Sequence, residues 1–107
     1  MTSNNNINDN FNQSSKNMSI CIPRVFSDIH VSFITNIFQY ELNLGIIKKI
    51  DVIKNNDNNF KKVFIHFDKW HNNEKSNIIR QKLMDGKTIK VVYDNPWFWK
   101  CSLSRSK

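Results

Sequence analysis

Residues 60–67, near the middle of the chain, are predicted to form a strand, in which aromatic or basic side chains alternate with apolar ones from Lys62 onward. Neighbouring residues of a strand point to opposite faces, so Lys62, Phe64 and His66 are expected to share one face. The apolar residues between and after them would point into a core. An aromatic ring between cationic groups suits a ligand that offers flat rings for stacking and phosphates for ion pairing.

Three further residues extend this candidate surface if the other strands alternate in the same way. The full set of candidate binding residues is Phe64, Lys62, His66, Lys49, Lys100 and Cys21. Two structural explanations compete with binding: Phe64 packs beneath the C-terminal segment or against a partner protein, and the lysines form a solvated surface. The second explanation follows from composition, because 17 Asn, 14 Ile and 13 Lys with no Ala indicate AT-rich coding DNA.

The densest aromatic cluster of the sequence is Trp97-Phe98-Trp99. Alternation places Phe98 on the opposite face from both tryptophans. We expect Trp97 and Trp99 to pack in the core, with Cys101 and Leu103 continuing the same side. A protein partner is the competing explanation, because tryptophan is a common anchor of protein interfaces.

Residue types that catalysis or cofactor binding would need are few. His30, His66 and His71 lack a metal-ligand spacing such as i and i+4, and only two cysteines accompany them. The two glycines are too few for the Gly-rich loops that hold dinucleotides or nucleotide phosphates. An acylphosphatase would also need such a loop, around Arg24. The sequence therefore predicts no catalytic residue, no metal and no cofactor, in a protein that is not an enzyme.

Length and charge indicate one small domain. The 107 residues are 39% hydrophobic, which is enough for one packed core, and carry a net charge of +7. Residues 1–18 are rich in Asn and Ser and hold one acid, Asp9, and one base, Lys16, so the positive excess belongs to residues 19–107. We expect 1–18 to be a disordered tail and 19–107 to be the domain. A basic domain suits a nucleic acid or another anionic surface.

Targeting and membrane signals are not recognisable in the sequence. The apolar runs fall short of the about 18 residues that span a bilayer, and the N-terminal residues lack the apolar stretch of a signal peptide. Two cysteines, Cys21 and Cys101, are too few for a disulfide framework. These features predict an intracellular protein that is not secreted and has no contact with membranes.

The spacing of apolar residues predicts seven secondary-structure elements. A strand over 19–26 precedes a helix that begins at Ser27-Asp28, whose side chains can cap the first turn, and that ends at Gly45. The later elements are a strand around 47–52, a strand over 60–67, a helix over 74–84 and two strands over 88–93 and 97–103. Residues 94–96, Asp-Asn-Pro, join the last two strands as a hairpin.

This order predicts an α+β fold on the ferredoxin-like βαββαβ plan. We expect a four-stranded antiparallel sheet with both helices on one face, and an extra hairpin strand before the last strand. Helices on one face leave the other face of the sheet open. The candidate binding residues are expected on that open face.

The first predicted helix and the strand after it resemble the RNA recognition motif family. The positions that follow the family's spacing are Ile34, Ile37, Phe38, Leu44, Gly45, Ile47, Ile50 and Val52. The strand over 60–67 is similar to the family's eight-residue signature at Phe64, Ile65 and Phe67. The resemblance implies an open sheet face on which aromatic rings stack on bases. Phe64 keeps its ring, whereas Lys62 and Cys21 stand at the other two stacking positions.

Residues 19–107 are also similar to a narrower group of short proteins of this kind from large DNA viruses of protists. Segment 94–100, after an Ile-Lys-Val-Val strand, carries this resemblance together with 64–67 followed by Lys69-Trp70. The AT-rich composition fits such a source. The resemblance bears on the fold more than on the activity.

The resemblance and the candidate surface together predict a module that binds single-stranded RNA, or single-stranded nucleic acid in general, with weak sequence preference. The alternative is a protein-interaction module on the same fold that binds no nucleic acid. The retained Phe64 and the basic residues favour the first. The loss of two stacking aromatics favours the second.

Overall fold

The structure is a computed structural model that describes residues 18–56 and 59–104. The predicted tail, 1–18, lies outside the described residues except for Met18, which is buried. The carbonyl oxygen of Met18 accepts a hydrogen bond from Trp70 Nε1 at 3.4 Å. The packed part of the chain therefore includes the residue just before the first predicted strand.

Within the described residues, five strands and two helices follow one another in the predicted order. The strands are β1 (Ser19–Phe26), β2 (Gly45–Lys54), β3 (Phe60–Trp70), β4 (Ile89–Asp94) and β5 (Trp97–Ser104). The helices are α1 (Val31–Thr35), which continues as a π-helical segment over Asn36–Glu41, and α2 (Glu74–Met84). The molecule is therefore an α+β protein, as predicted.

All five strands form one antiparallel sheet in the order β2-β3-β1-β5-β4. The sheet thus has five strands and not four, because the predicted extra hairpin strand, β4, pairs with β5 from Ile89–Cys101 to Asp94–Trp97. Strands β1 and β3 each have a neighbour on both sides. Side chains on these two strands are therefore flanked by those of other strands.

Both helices pack apolar side chains against the same sheet. Ile34, Ile37 and Phe38 from α1 and its continuation, and Leu83 from α2, join the buried sheet residues in one cluster. Trp99 of β5 belongs to this cluster, and its ring stacks on that of Phe38 with 6.0 Å between the ring centres. In the described part of the chain, the other side of the sheet has no helix over it.

The first helix begins later than the sequence predicted. Ser27 and Asp28 form a turn after β1, and the N-cap is His30, whose Nδ1 accepts a hydrogen bond from the backbone N–H of Ser32 at 3.1 Å. The first turn of a helix needs an acceptor for its unpaired N–H groups, and here the ring nitrogen of His30 supplies one. The cap predicted at 27–28 is therefore wrong by a few residues.

Gly45 has a different role from the helix stop that the sequence predicted. The residue in the left-handed region near the helix end is Asn43, with a φ of 54°. Gly45 is the first residue of β2, where an added Cβ would lie 2.9 Å from the Cα of Trp70 on β3. Even alanine is too large for this approach. Gly45 therefore lets β2 and β3 come together at the start of their pairing.

The longer helix, α2, has 11 residues, whereas a membrane-spanning helix needs about 20. No helix in the described residues is long and apolar enough to cross a bilayer.

Candidate nucleic-acid interface

Phe64 of β3 lies on the sheet face opposite the helices, which we call the open face. It pairs with Cys21 of β1 on one side and with Asp51 of β2 on the other. The side chain is half-buried, because the two neighbouring strands flank it. Part of the ring is therefore accessible, as stacking on a base requires.

The strand register brings most of the predicted binding residues together on the open face. Lys62 and His66 lie two residues before and after Phe64, so the three side chains point the same way. His66 is paired with Lys49 of β2. The residues brought together are Phe64, Lys62, His66, Lys49 and Cys21. Lys100 lies on the same face but on β5, two residues from the partner of Cys21, Ser102.

A polar network occupies the end of the open face where β1 begins. His66 Nε2 lies 2.8 Å from Asp51 Oδ2, and His66 Nδ1 lies 2.8 Å from the hydroxyl oxygen of Ser19. Lys49 Nζ lies 3.9 Å from the same oxygen of Asp51. We call Ser19, Lys49, Asp51 and His66 the polar network. A carboxylate only accepts, so His66 Nε2–H donates to Asp51, and both ring nitrogens are engaged within the protein.

The polar network limits what His66 and Lys49 can offer to an anionic ligand. The carboxylate of Asp51 is 48% exposed, so it repels phosphate groups that approach this end of the face. Asp51 is not among the binding residues predicted from the sequence, although it lies two residues from Lys49 on β2 and shares its face. The cations predicted at this end are therefore offset by an acid.

Cys21 contributes a neutral thiol to the open face. Burial raises its pKa above the ordinary value, and the positive charge of Lys62 lowers it in part. Cys101 points into the core, as predicted, and burial raises its pKa to about 12. Both cysteines are free thiols. Beside Phe64, Cys21 therefore acts as a small, weakly polar side chain.

A cleft of about 590 Å³ lies at the other end of the open face, where β1 ends and β5 begins. Six aromatic residues line it: Phe26, Phe60, Tyr93, Trp97, Phe98 and Trp99. Arg24 and Lys100 also line it, together with two prolines. We call these residues the aromatic cleft. Its surface is mainly apolar and offers flat rings.

The cleft exists because β1 and β5 pair over a short distance. Their ladder has three residue pairs and ends at Cys21–Ser102. Pro23, just beyond the last pair, has no backbone N–H to donate, and β1 carries a register shift at this point. The two strands therefore separate, and aromatic side chains line the gap between them.

One wall of the aromatic cleft is built from Phe26, Phe60 and Arg24. The two phenylalanine rings stack with 5.1 Å between their centres, and the guanidinium carbon of Arg24 lies 4.1 Å from the centre of the Phe60 ring. Trp97 meets Phe26 edge to face at 5.4 Å. These contacts hold Arg24 at the cleft, and a guanidinium group binds phosphate through two parallel hydrogen bonds.

Trp97 and Trp99 do not both lie in the core, so this prediction is wrong for Trp97. Trp99 is 1% exposed, whereas Trp97 is 53% exposed and Phe98 is 46% exposed. The two tryptophans lie in different surroundings, and the β4–β5 register shifts at the Trp97 end of β5. The ring of Trp99 contacts Phe38 of the first helical segment, whereas that of Trp97, the first residue of β5, contacts Phe26 of β1.

The charged side chains that line the aromatic cleft are positive, whereas the negative charges of Asp94 and Asp28 act on Tyr93 at one side of it. Arg24 and Lys100 line it, and Lys90 Nζ lies 4.4 Å from the centre of the Phe98 ring. Its lining, taken from the described residues, contains no Asp or Glu. Cations held over aromatic rings keep their charge while they lose mobility. The cleft therefore suits an anionic ligand that also has flat rings.

Sequence reasoning named Lys100 and the cluster at 97–99 but missed the cleft itself. From the sequence, Arg24 entered only as part of a catalytic loop, and Phe60 only as a residue of the strand predicted over 60–67. The available signal was the proline in β1, which weakens its pairing with a neighbouring strand. The gap between β1 and β5 depends on how two distant segments pair, and no local pattern encodes it.

Comparison of the chain with protein-family models, with curated proteins and with solved structures finds no match. Among the described residues, no group of three or more His, Cys, Asp or Glu side chains is placed to hold a metal ion. The open face and the aromatic cleft are therefore the two candidate binding surfaces among the described residues.

Proposed function

We propose that this protein is a binding module of the RNA recognition motif type, not an enzyme, and that it binds single-stranded RNA on the open face with weak sequence preference. The observation that carries the proposal is the position of Phe64, an accessible ring on the helix-free face with Lys62 two residues away. A ring at this place can stack on a base while the lysine attracts a phosphate.

The strand order supports a ferredoxin-like fold for this module. If β4 is taken as an addition at the edge, the order β2-β3-β1-β5 with both helices in one core agrees with the βαββαβ plan. Cys21 and Phe64 are the residues that the family resemblance marks as stacking positions on the first and third strands. They are direct partners across β1 and β3.

Affinity for RNA should depend more on charge than on stacking. One ring, Phe64, remains of the three that the resemblance implies, and it is expected to contribute about 1–3 kcal/mol. Binding should therefore weaken steeply as salt rises. Because Asp51 lies beside Lys49 and His66, we expect Lys62 to contribute more than either of them.

A titration of the full chain with a short fluorescein-labelled RNA, followed by anisotropy at several salt concentrations, tests the proposed function. Phe64→Ala should lower the binding free energy by about 1–3 kcal/mol and should leave the circular dichroism spectrum unchanged, because the ring is outside the core. The matched control is Ile78→Ala, which removes an exposed apolar side chain from α2 on the helix side. RNA affinity should not change in the control.

One result would contradict the proposed function: no binding of RNA by the wild-type protein at low salt. If the Phe64→Ala protein then also unfolds, Phe64 is a structural residue.

A protein-interaction module is the second candidate, and β2 is the feature that favours it. This ten-residue strand lies at an edge of the sheet and exposes Ile46, Val52 and Ile53 by 45%, 37% and 52%. An edge with apolar side chains can pair with a strand of another chain. A complex or dimer seen by light scattering, with no RNA binding, favours this candidate.

We also propose that the protein acts inside a cell. Cys21 and Cys101 are both free thiols, which suits a reducing compartment. Fractionation of cells that express the chain would locate it.

A further inference from the structure

We propose that the aromatic cleft receives one unstacked base of the bound strand, and that Arg24 and Lys100 hold the phosphates beside it. This inference rests on the proposed function, because it names where the single-stranded nucleic acid is anchored. In this arrangement Trp97 is the main base-binding ring, and Phe64 is a second ring farther along the face.

The aromatic cleft has the size and rigidity of a ligand site. Its volume of about 590 Å³ falls in the range of about 300–1,000 Å³ that small-molecule pockets occupy. Phe26, Phe60 and Arg24 hold one another in place through ring stacking and a cation–π contact. A preformed wall does not have to be ordered on binding, and this favours affinity.

Trp97 is the most exposed ring in the aromatic cleft. It is 53% exposed, and Phe98 beside it is 46% exposed, whereas Trp99 in the same cleft is 1% exposed. Neighbouring exposed aromatic residues form an apolar patch that is typical of a ligand or partner site. A base stacked on Trp97 would remove this patch from water.

The charges around the cleft distinguish between its possible occupants. Arg24, Lys90 and Lys100 are close to the rings, and the described lining residues include no carboxylate. Asp94, the strand partner of Trp97, is an acid next to the lining, so the cations face a ligand mainly on the side of Arg24 and Lys100. An acidic peptide would match the charges, but it does not carry a flat ring with every charged unit. Each nucleotide carries both a base and a phosphate, so a nucleic acid matches rings and cations together.

The aromatic cleft and Phe64 are placed so that one strand can bind both. Phe60, Lys62 and Phe64 occupy alternate positions of β3. At about 3.3 Å per residue, Phe60 and Phe64 are about 13 Å apart along the strand. An RNA that passes from the cleft to Phe64 therefore crosses Lys62. We expect full affinity to need an RNA of several nucleotides. A single nucleotide, such as uridine monophosphate, should bind more weakly than the oligomer.

Binding of a short fluorescein-labelled oligouridylate to the full chain tests the inference. Trp97→Ala should weaken binding about 10-fold, and Arg24→Gln should reduce the slope of log affinity against log salt by about one charge. Trp97 is more exposed than Trp70 or Trp99, so unlabelled oligouridylate should quench its emission. Trp97→Phe should keep most of the affinity for RNA and lose the fluorescence quenching. Because it keeps an aromatic ring, this variant shows the role of Trp97 even if Trp97→Ala fails to fold.

Two controls separate base recognition from other effects. Tyr40→Ala removes an aromatic side chain that is 68% exposed on the helical segment after α1, and it should bind RNA as the wild type does. An abasic oligomer of equal length keeps the phosphates without the bases. It should bind about 10-fold more weakly than oligouridylate.

Three results would overturn the inference, and they have different meanings. If Trp97→Ala binds as the wild type does while Phe64→Ala is weakened, RNA uses the open face without the cleft, and the proposed function survives. If the wild type binds no RNA, the proposed function fails as well. If polyglutamate of equal charge binds as tightly as oligouridylate, and both depend on Trp97, the cleft is a docking site for an acidic protein segment.

Discussion

The polar network and the aromatic cleft lie at opposite ends of one sheet face, and they use their cations in different ways. Strand β1 runs from Ser19, in the network, to Phe26, in the cleft. In the network, Lys49 Nζ lies 3.9 Å from the carboxylate of Asp51, which also accepts a hydrogen bond from His66 at 2.8 Å. In the cleft, the guanidinium of Arg24 lies over an aromatic ring.

This difference teaches that the number of lysines and arginines on a surface does not locate its binding site. A carboxylate beside a cation repels an approaching phosphate and so reduces the net attraction that the cation offers. A cation over a ring retains its charge and its place, because the ring supplies attraction without a full negative charge. Of the two regions, the aromatic cleft is therefore the better anion site.

The largest expected effect is a difference in stability between variants of Trp99, which is buried, and Trp97, which is exposed. Trp99→Ala should lower the free energy of unfolding by about 3–5 kcal/mol, because it leaves a cavity beside Phe38 in the core. Trp97→Ala should lower it by about 0.5 kcal/mol or less, since its ring is half exposed. Urea denaturation of both variants measures this. Equal losses would show that Trp97 is a core residue and not part of a ligand site.

The next effect concerns the pairing of β2 with β3, which holds the polar network together. Gly45→Ala should destabilise the fold by about 1–3 kcal/mol, because the new Cβ would press on the backbone of β3. Gly86→Asn is the control, since this glycine has a φ of +83° and open space around it, and asparagine tolerates that conformation. Thermal melting should show a clear loss for the first variant and a small one for the second.

A smaller effect compares one lysine from each region. Lys100→Ala should reduce the salt slope of RNA binding by about one charge. Lys49→Ala should reduce it by less than about half of that, because Asp51 already offsets Lys49. Anisotropy titrations over a range of salt concentrations measure both slopes. A larger change for Lys49→Ala would place the phosphate contacts at the polar network and reverse the comparison.

The smallest effect uses Cys21, which lies on the open face beside Phe64, as a reporter. The charge of Lys62 lowers the pKa of this thiol, so Lys62→Ala should raise the pKa, reduce the thiolate fraction at pH 8 and slow thiol labelling. Bound RNA should also slow labelling of Cys21. Cys101, whose pKa is raised to about 12 by burial, should react only when the protein unfolds. Equal fast labelling of both cysteines would contradict the assigned faces.

The strands and the second helix could be predicted from the sequence, because apolar residues recur every two residues in a strand and every three to four in a helix. The helix expected over 74–84 is α2 (Glu74–Met84), capped by Asn73, whose side chain accepts a hydrogen bond from the Ser76 N–H at 2.8 Å. The alternation along β3 correctly placed Val63 and Ile65 in the core. The N-cap of α1 was predicted at the wrong residues, because His30 caps the helix and not Ser27 or Asp28.

The order of the elements, the α+β class and the side of β3 that enters the core therefore follow from the sequence alone. Only the tertiary structure decided that Asp51 meets His66 and that Trp97 is exposed while Trp99 is buried. Side-chain direction is encoded in the strand itself, since neighbours alternate. Register between distant strands, and the point where β1 and β5 separate, depend on the packing of the whole sheet. The candidate cleft is a product of that packing.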